Sequence, residues 1–251
     1  MPLIYADASD GFISSSNSNY LTARHASSGS LNSTAAASAF AVRAASLSGR
    51  GGGLSYRFAR SFFYFDVSSI SDCTAVTLNL KGYVSAGAGG GIVIMGSEAF
   101  GGDGGTALAA GDYDEIKGWD GSSDMTGATK FSAAPAVNMA GWNVNHNNVI
   151  PLGSAAETVI NNLDYLIICV VDYAYDYLKA NPVTGGQNPG LALANNVGLF
   201  FSNYSGTSAD PYLNITTGSG YGHDVNGVAA ANIGKVNSVA TASIGKINSV
   251  D

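Results

Sequence analysis

Arg60-Ser61-Phe62-Phe63-Tyr64-Phe65-Asp66-Val67-Ser68 sets the fold class of this 251-residue chain. Read as a strand, it places Phe62 and Tyr64 on one face and Phe63 and Phe65 on the other, so neither face is written for water. Such a strand is expected to be buried on both sides. The next patterned stretch, Val76 to Val84, sends Val76, Leu78, Leu80 and Val84 one way and Thr77, Asn79, Lys81 and Tyr83 the other. That alternation predicts a half-buried strand, with one face on a core and one in water. Between the two, Val67 to Ala75 is rich in Ser and Asp and has Ile70 as its single large apolar anchor.

Working outward, Tyr165 to Val171 is an apolar run too short for a bilayer and suited to a second strand buried on both faces. Ile92 to Met95 predicts a short buried strand, joined to Val76–Val84 as a hairpin through the Gly-rich turn from Ala86 to Gly91. Leu199–Phe201 and Tyr212–Thr216 supply the last strands, with Leu213 and Ile215 inward. On the N-terminal side, Leu3 to Ile13 reads as a first strand interrupted by a turn at Asp7–Gly11. Weak strands are expected at Tyr20–Arg24 and Phe40–Ala45, and a further strand over Trp142–Leu152. Ser154 and Glu157 fit a capping box, and Ala156, Val159, Ile160 and Leu163 follow helical spacing, so one short helix is expected to plug one end of the sandwich. The fold class is therefore all-β: a jelly-roll-type antiparallel β-sandwich over residues 1–217, with one short helix and a C-terminal repeat extension. Its expected core holds Phe63, Phe65, Leu78, Leu80, Ile167 and Cys169.

Composition agrees with many turns and short strands, since charged residues are 12% and Gly is 33 of 251. The net charge of -7 argues against a nucleic-acid backbone as partner. No apolar run is long enough to cross a bilayer, and Met1-Pro2-Leu3-Ile4-Tyr5 lacks the basic start and apolar core of an export signal. Synthesis in the cytoplasm without membrane insertion is the expectation. Cys73 at a strand entrance and Cys169 inside an apolar run are expected as buried free thiols unless their strands meet. Gly49–Gly53 lacks the Lys-Ser/Thr and following helix of a phosphate loop.

Candidate chemistry gathers in the long excursion from Phe100 to Thr129, which carries Asp103, Asp112, Asp114, Glu115, Asp120, Asp124 and Trp119. Long loops on compact sandwiches tend to carry function. Paired carboxylates serve glycosidases, and an acidic loop with a Trp also serves to stack and hydrogen-bond sugars. The plainer alternative is a solvated acidic loop with Trp119 tucked against the sandwich, and no catalytic residue is expected. Tyr173, Tyr175 and Tyr177 are the second candidate contact, either a sugar or protein platform or the cover of a strand edge. No cofactor is expected: carboxylates beside a Gly turn usually just solvate a loop, and calcium, if bound at all, would find oxygen ligands at Asp7 and Asp10, or at Asp112 and Asp114. His25, His146 and His223 show neither metal-ligand spacing nor a nucleophile partner. Asn32, Asn203 and Asn214 begin Asn-X-Ser/Thr triplets that read as chance matches in an Asn- and Ser-rich chain.

The set Arg60, Phe62, Phe65-Asp66-Val67-Ser68, Ile70, Val76, Leu78 and Leu80 resembles the central signature of DNRLRE-like and carbohydrate-binding-module-like β-sandwiches. Asp210-Pro211-Tyr212-Leu213 resembles their closing strand, while Ser71-Asp72-Cys73 replaces a proline often found in the connection. The resemblance implies a jelly roll that presents a surface, as in secreted bacterial proteins and structural proteins of tailed phages, and implies no enzyme.

After a Gly-rich linker at 218–224, three repeat units begin at Val225, Val236 and Ile247, eleven residues apart. Val225, Val228, Ile233, Val236, Val239, Ile244, Ile247 and Val250 are the apolar positions, expected to drive oligomerisation with Lys235 and Lys246 outward. An eleven-residue period suits a right-handed helical supercoil, yet the Gly, Asn and β-branched content favours an extended form. The tail over 225–251 resembles those of virion structural proteins from environmental phages. It implies a non-enzymatic virion surface protein (capsid decoration, head fibre or tail fibre) whose partners are copies of itself, other virion proteins and a host-surface glycan. The rivals are a carbohydrate-binding module or adhesin, a subunit of an extracellular filament, and an acidic-loop glycosidase.

Overall fold

The computed structural model describes residues 2–48, 53–86, 90–181, 194–218, 235–236 and 239–240. The strands in chain order begin with β1 (Leu3–Tyr5), β2 (Gly11–Asn17), β3 (Ser30–Asn32), β4 (Ala37–Ser48) and β5 (Leu54–Asp66). They continue with β6 (Cys73–Ala86), β7 (Gly91–Gly96), β8 (Val137–Asn138), β9 (Asn147–Leu152), β10 (Tyr165–Asp172), β11 (Ala194–Phe200) and β12 (Tyr212–Thr217). Helix α1 (Tyr20–Arg24) follows β2, and α2 (Ser154–Asn162) follows β9.

β5, which holds the quoted stretch, is the axis. Between Tyr56 and Ala59 it pairs with β2 and β4 at once, and at Ser61 and Phe62 with β2 and β10. β4 and β10 therefore follow one another along one edge of β5, and β2 lines the other. Where β4 departs, Ser61 Oγ donates to the Ala41 carbonyl at 2.7 Å. β4 leads on to β11, and β10 leads to β7 and then β8.

β6 joins the two layers of the sandwich. Its first part, Cys73–Lys81, pairs with β12 and β9, while Gly82–Ala86 pairs with β11. β1 closes on β12. The all-β antiparallel sandwich expected from the sequence is what the chain forms, as one sheet curled upon itself. The bend at the handover depends on close backbone approach. A Cβ on Gly198 would lie 2.6 Å from Val84 Cγ1 and 2.9 Å from the Ser38 carbonyl, and one on Gly82 would collide with the Asn143 carbonyl.

Two cores result. The first lies between the layers and holds Phe63, Phe65, Leu78, Leu80, Ile150, Phe201, Leu213 and Ile215, with Ile70 against it. The second covers the outer face of β5, β10 and β7, where Phe58, Phe62, Met95, Ile167 and Cys169 meet Phe100, Leu108, Tyr113, Ile116 and Met125 of the Phe100–Thr129 excursion. That excursion is thus a third layer rather than a solvated loop. Its 3-10 turns bring large apolar side chains onto a sheet face that would otherwise be wet.

Several expectations are corrected. Ile167 and Cys169 are buried, but in the second core. The hairpin of Val76–Val84 with Ile92–Met95 does not form: β7 pairs with β10 and β8, because a strand buried along its whole length belongs inside the main sheet. Tyr20–Arg24 is helical, started by Asn19, whose Oδ1 accepts from the Thr22 amide at 3.1 Å. Among the described residues there are therefore two α-helices, not one. Leu3–Ile13 is split into β1 and the start of β2, and Trp142 follows a 3-10 turn at Met139–Gly141 before β9 begins at Asn147. The α2 N-cap is Gly153, with no side-chain capping bond, so the Ser154–Glu157 box is not made. Both cysteines are free and buried, one in each core.

In the tail, β13 (Lys235–Val236) and β14 (Val239–Ala240) pair antiparallel, Lys235 with Ala240 and Val236 with Val239. Val225, Val228, Ile233, Ile244, Ile247, Val250 and His223 lie outside the described residues. Among the described residues no helix is long and apolar enough to cross a membrane.

Candidate functional site

The residues that face the second core include Arg60, which alternation places on the same side of β5 as Phe58 and Phe62. Its side chain has no solvent exposure. Nε and Nη2 donate to the two Asp176 carboxylate oxygens, each at 2.8 Å. Nη1 donates to the Tyr113 carbonyl at 2.8 Å and Nη2 also to the Arg24 carbonyl at 2.9 Å. The guanidinium lies over the Tyr113 ring at 4.1 Å and the Trp119 ring at 4.9 Å.

Arg24, from the last turn of α1, enters from the other side. Nε donates to the Asp176 carbonyl at 2.8 Å and Nη1 to the Ser123 carbonyl at 2.9 Å, and Nε stands 3.4 Å from Asp176 Oδ1. His25 Nε2 lies 2.6 Å from Arg24 Nη1. Burial and the Arg24 charge push the His25 imidazole down to about 4, so near neutral pH the ring is uncharged and Nε2 accepts. Burial is the largest single influence on Arg60 and lowers it, but the Asp176 charge, Tyr113 and the hydrogen bonding to Asp176 together hold the guanidinium above its usual range. Arg24 is lowered, chiefly by burial.

Two arginines and one carboxylate leave a surplus positive charge in a dry place. Carbonyl oxygens from four segments and two ring faces offset it, as a buried ion requires. The arrangement staples α1, the Ala110–Asp114 turn, the 119–124 loop and the Tyr173–Tyr177 turn to β5. Sequence reading used Arg60 only as part of a family signature and did not single out Arg24 or Asp176. The available signal was an arginine on a strand face otherwise made of Phe.

The aromatic candidates converge here. Trp119 is partly buried, covers both arginines and donates Nε1–H to the Ser123 carbonyl at 3.1 Å. Tyr173–Tyr177 is a π-helical turn rather than an alternating strand exit, begun by Asp172, whose Oδ1 accepts from the Tyr175 amide at 2.7 Å. Tyr177 is buried and stacks on Tyr173 at 6.0 Å, while Tyr20 donates its hydroxyl to the Tyr175 carbonyl at 2.9 Å. Trp119 and Tyr177 thus serve packing, and Tyr173 and Tyr175 keep part of their surface.

The acidic candidates mostly cap turns. Asp112 Oδ2 accepts from the amides of Phe100 (3.1 Å) and Ala109 (3.0 Å). Asp120 Oδ1 accepts from the amides of Ser122 and Ser123, which hold its carboxyl below the usual range. Asp103 caps Gly105 and Asp7 caps Ser9. Asp10 turns inward, with both oxygens on Ser202, and burial pushes it up to about 7. Asp114 is partly buried beside Asp112. Among the described residues no group of three or more His, Cys, Asp or Glu side chains gathers to hold a metal ion. Asp7 with Asp10, and Asp112 with Asp114, therefore stand without a third such ligand.

What stays open is a pair of adjoining clefts beside α2 and β10. One of about 460 Å3 is lined by Glu98, Asp112, Glu115, Lys117 and Tyr165 among others. The next, about 470 Å3, shares Leu163 and Tyr165 and adds Tyr64, Asp66, Asp103 and Asp164. Partial burial, followed by the nearby Asp114, Glu98 and Asp112, raises Glu115. Compared with known proteins, the chain matches no family model and no curated protein.

Proposed function

We propose that the chain is a non-enzymatic structural protein of a phage-like particle. It displays its β-sandwich at the particle surface and is joined to copies of itself and to other particle proteins through the C-terminal repeats. The observation that carries this reading is the eleven-residue repeat beyond the closing strand β12. Each unit offers few large apolar side chains, for example Val236, Val239 and Ile244 in the second. Burying one contributes about 1.5–3 kcal/mol, against about 1–2 kcal/mol of backbone entropy for every residue ordered. A single unit loses that comparison, whereas identical units on neighbouring copies add their buried surfaces. The antiparallel pairing of Lys235–Val236 with Val239–Ala240 supports an extended form for the repeat. A sheet bearing two cores and a stapled third layer suits a rigid displayed element. Light scattering on size-exclusion fractions tests the reading: the full chain should form a defined oligomer and a chain ended after Gly220 a folded monomer. A monomeric full chain, or unchanged assembly after truncation, overturns it.

A second reading, a carbohydrate-binding module or adhesin, is favoured by the two clefts. Carboxylates such as Glu98, Glu115 and Asp164 accept from sugar hydroxyls, and Tyr64 and Tyr165 offer ring faces. A glycan array decides it, with hits expected to vanish in Tyr165→Ala.

A further inference from the structure

A third opening lies on the other side of β5, where the inner face of the sheet carries Arg57 and Arg43. Ser16 stands directly opposite Arg57 across the β2–β5 pairing, and Ser14 and Arg43 flank Ala59 from β2 and β4. Residues directly opposite, and those two apart on one strand, project to the same face, so both guanidiniums and these hydroxyls share one surface. With Ser30 and the ring of Phe40 they line a cavity of about 300 Å3.

The charges here are uncompensated among the described residues. Both ion pairs among the described residues belong to Asp176, so among those residues Arg43 and Arg57 have no carboxylate partner, in a chain whose net charge is -7. Arg43 Nε is buried and has no hydrogen-bond acceptor among the described residues. A buried donor left unpaired is costly, and two cations that only repel each other add to the cost. Burial, and then Arg57, lower the Arg43 pKa, the direction expected when no anion is at hand. The Phe40 ring lies 4.4 Å from the Arg43 guanidinium carbon and is 48% exposed at the rim.

We propose that this cavity binds an acidic sugar, a saccharide residue bearing a carboxylate or sulfate, with the oxyanion held between Arg43 and Arg57. An oxyanion supplies the acceptor that Arg43 Nε lacks, and a guanidinium pairs with it through parallel N–H bonds. Ser14, Ser16 and Ser30 match the hydroxyls of the sugar, and the exposed Phe40 ring takes its apolar face. The negative chain as a whole disfavours long polyanions, so the recognition is of one acidic group in a small opening. This site is separate from the clefts beside α2 and does not depend on the repeat tail.

Isothermal titration of the full chain with glucuronate, glucose 6-sulfate, glucose and inorganic sulfate tests the assignment. At least one acidic sugar should bind about tenfold or more tightly than glucose, and Arg43→Gln and Arg57→Gln should each weaken it about tenfold. Arg57 is exposed, so its variant should melt like the parent and keeps the test valid even if Arg43→Gln is destabilised. Equal binding of glucose, or acidic-sugar binding unchanged in Arg57→Gln, overturns the proposal. So does inorganic sulfate binding as tightly as either acidic sugar, which would make this a bare oxyanion site.

Discussion

Asp176 is the residue on which the third layer turns. It receives both Arg60 bonds at 2.8 Å and faces Arg24 at 3.4 Å, with all three side chains out of solvent. Asp176→Ala leaves two buried cations without a counter-charge and should cost about 3–5 kcal/mol in urea unfolding. A loss below about 1 kcal/mol, the scale of a surface pair, would mean that the carbonyls alone carry the arginines. Two other buried carboxyls act oppositely. Burial pushes both Asp10 and Asp172 up to about 7, against an ordinary value of 3.8. Between those values the folded chain holds protons that the unfolded chain has released. Their contribution therefore falls as pH rises from about 4 to about 7 and is constant beyond. Asp10→Asn keeps an acceptor for Ser202 and removes the buried charge, so its Tm gain over the parent should appear near about pH 8 and vanish near about pH 4. A gain equal at both values would refute the burial argument.

At the scale of elements, β5 and the β6–β11 junction set the architecture. Phe65 is fully buried between the layers, and Phe65→Ala should cost about 3–5 kcal/mol. Parent-like unfolding would show that the aromatic strand is not the axis of the first core. Gly198→Ala places a methyl against Val84 and the Ser38 carbonyl where β6 passes from one layer to the other. The expected loss is about 1–3 kcal/mol, read from the urea midpoint. The alternation along Val76–Val84 predicted the β6 strand correctly but paired it with the wrong neighbour. Glycines between two strands permit a hairpin without requiring one, and here β7 gains more by lying inside the sheet beside β10 than at the edge of β6.

For the whole molecule, the two thiols report on the two cores separately. Cys73 lies in the first and Cys169, fully buried, in the second, where burial raises the thiol well above its usual value. Cys169 should react with a thiol reagent only as fast as the chain unfolds globally, whereas Cys73, near the start of β6, should react sooner through local opening. Rapid labelling of Cys169 in the native state would show that the third layer lifts independently of the sandwich.

What the sequence by itself determined was the class of fold and its main strands. The doubly apolar runs at Phe62–Phe65 and Tyr165–Val171 demand cover on both faces, and the alternation at Val76–Leu80 marks a strand with one core-facing side, so local periodicity suffices for the strands, although Asn79 on the side expected to be wet is buried too. The helix at Ser154–Asn162 was legible for the same reason, while α1 was missed because its only local signal is the Asn19 cap. Tertiary structure alone decided what covers the outer face of β5. Arg24, Arg60 and Asp176 are separated along the chain by 36 and 116 residues, and nothing in their spacing announces an ion pair that only the folded sheet brings together. The aspartates between Phe100 and Thr129 read as a ligand-binding loop but mostly cap its turns. Arg43 and Arg57 came to share a cavity through strand register, which charge counting along the chain does not reveal.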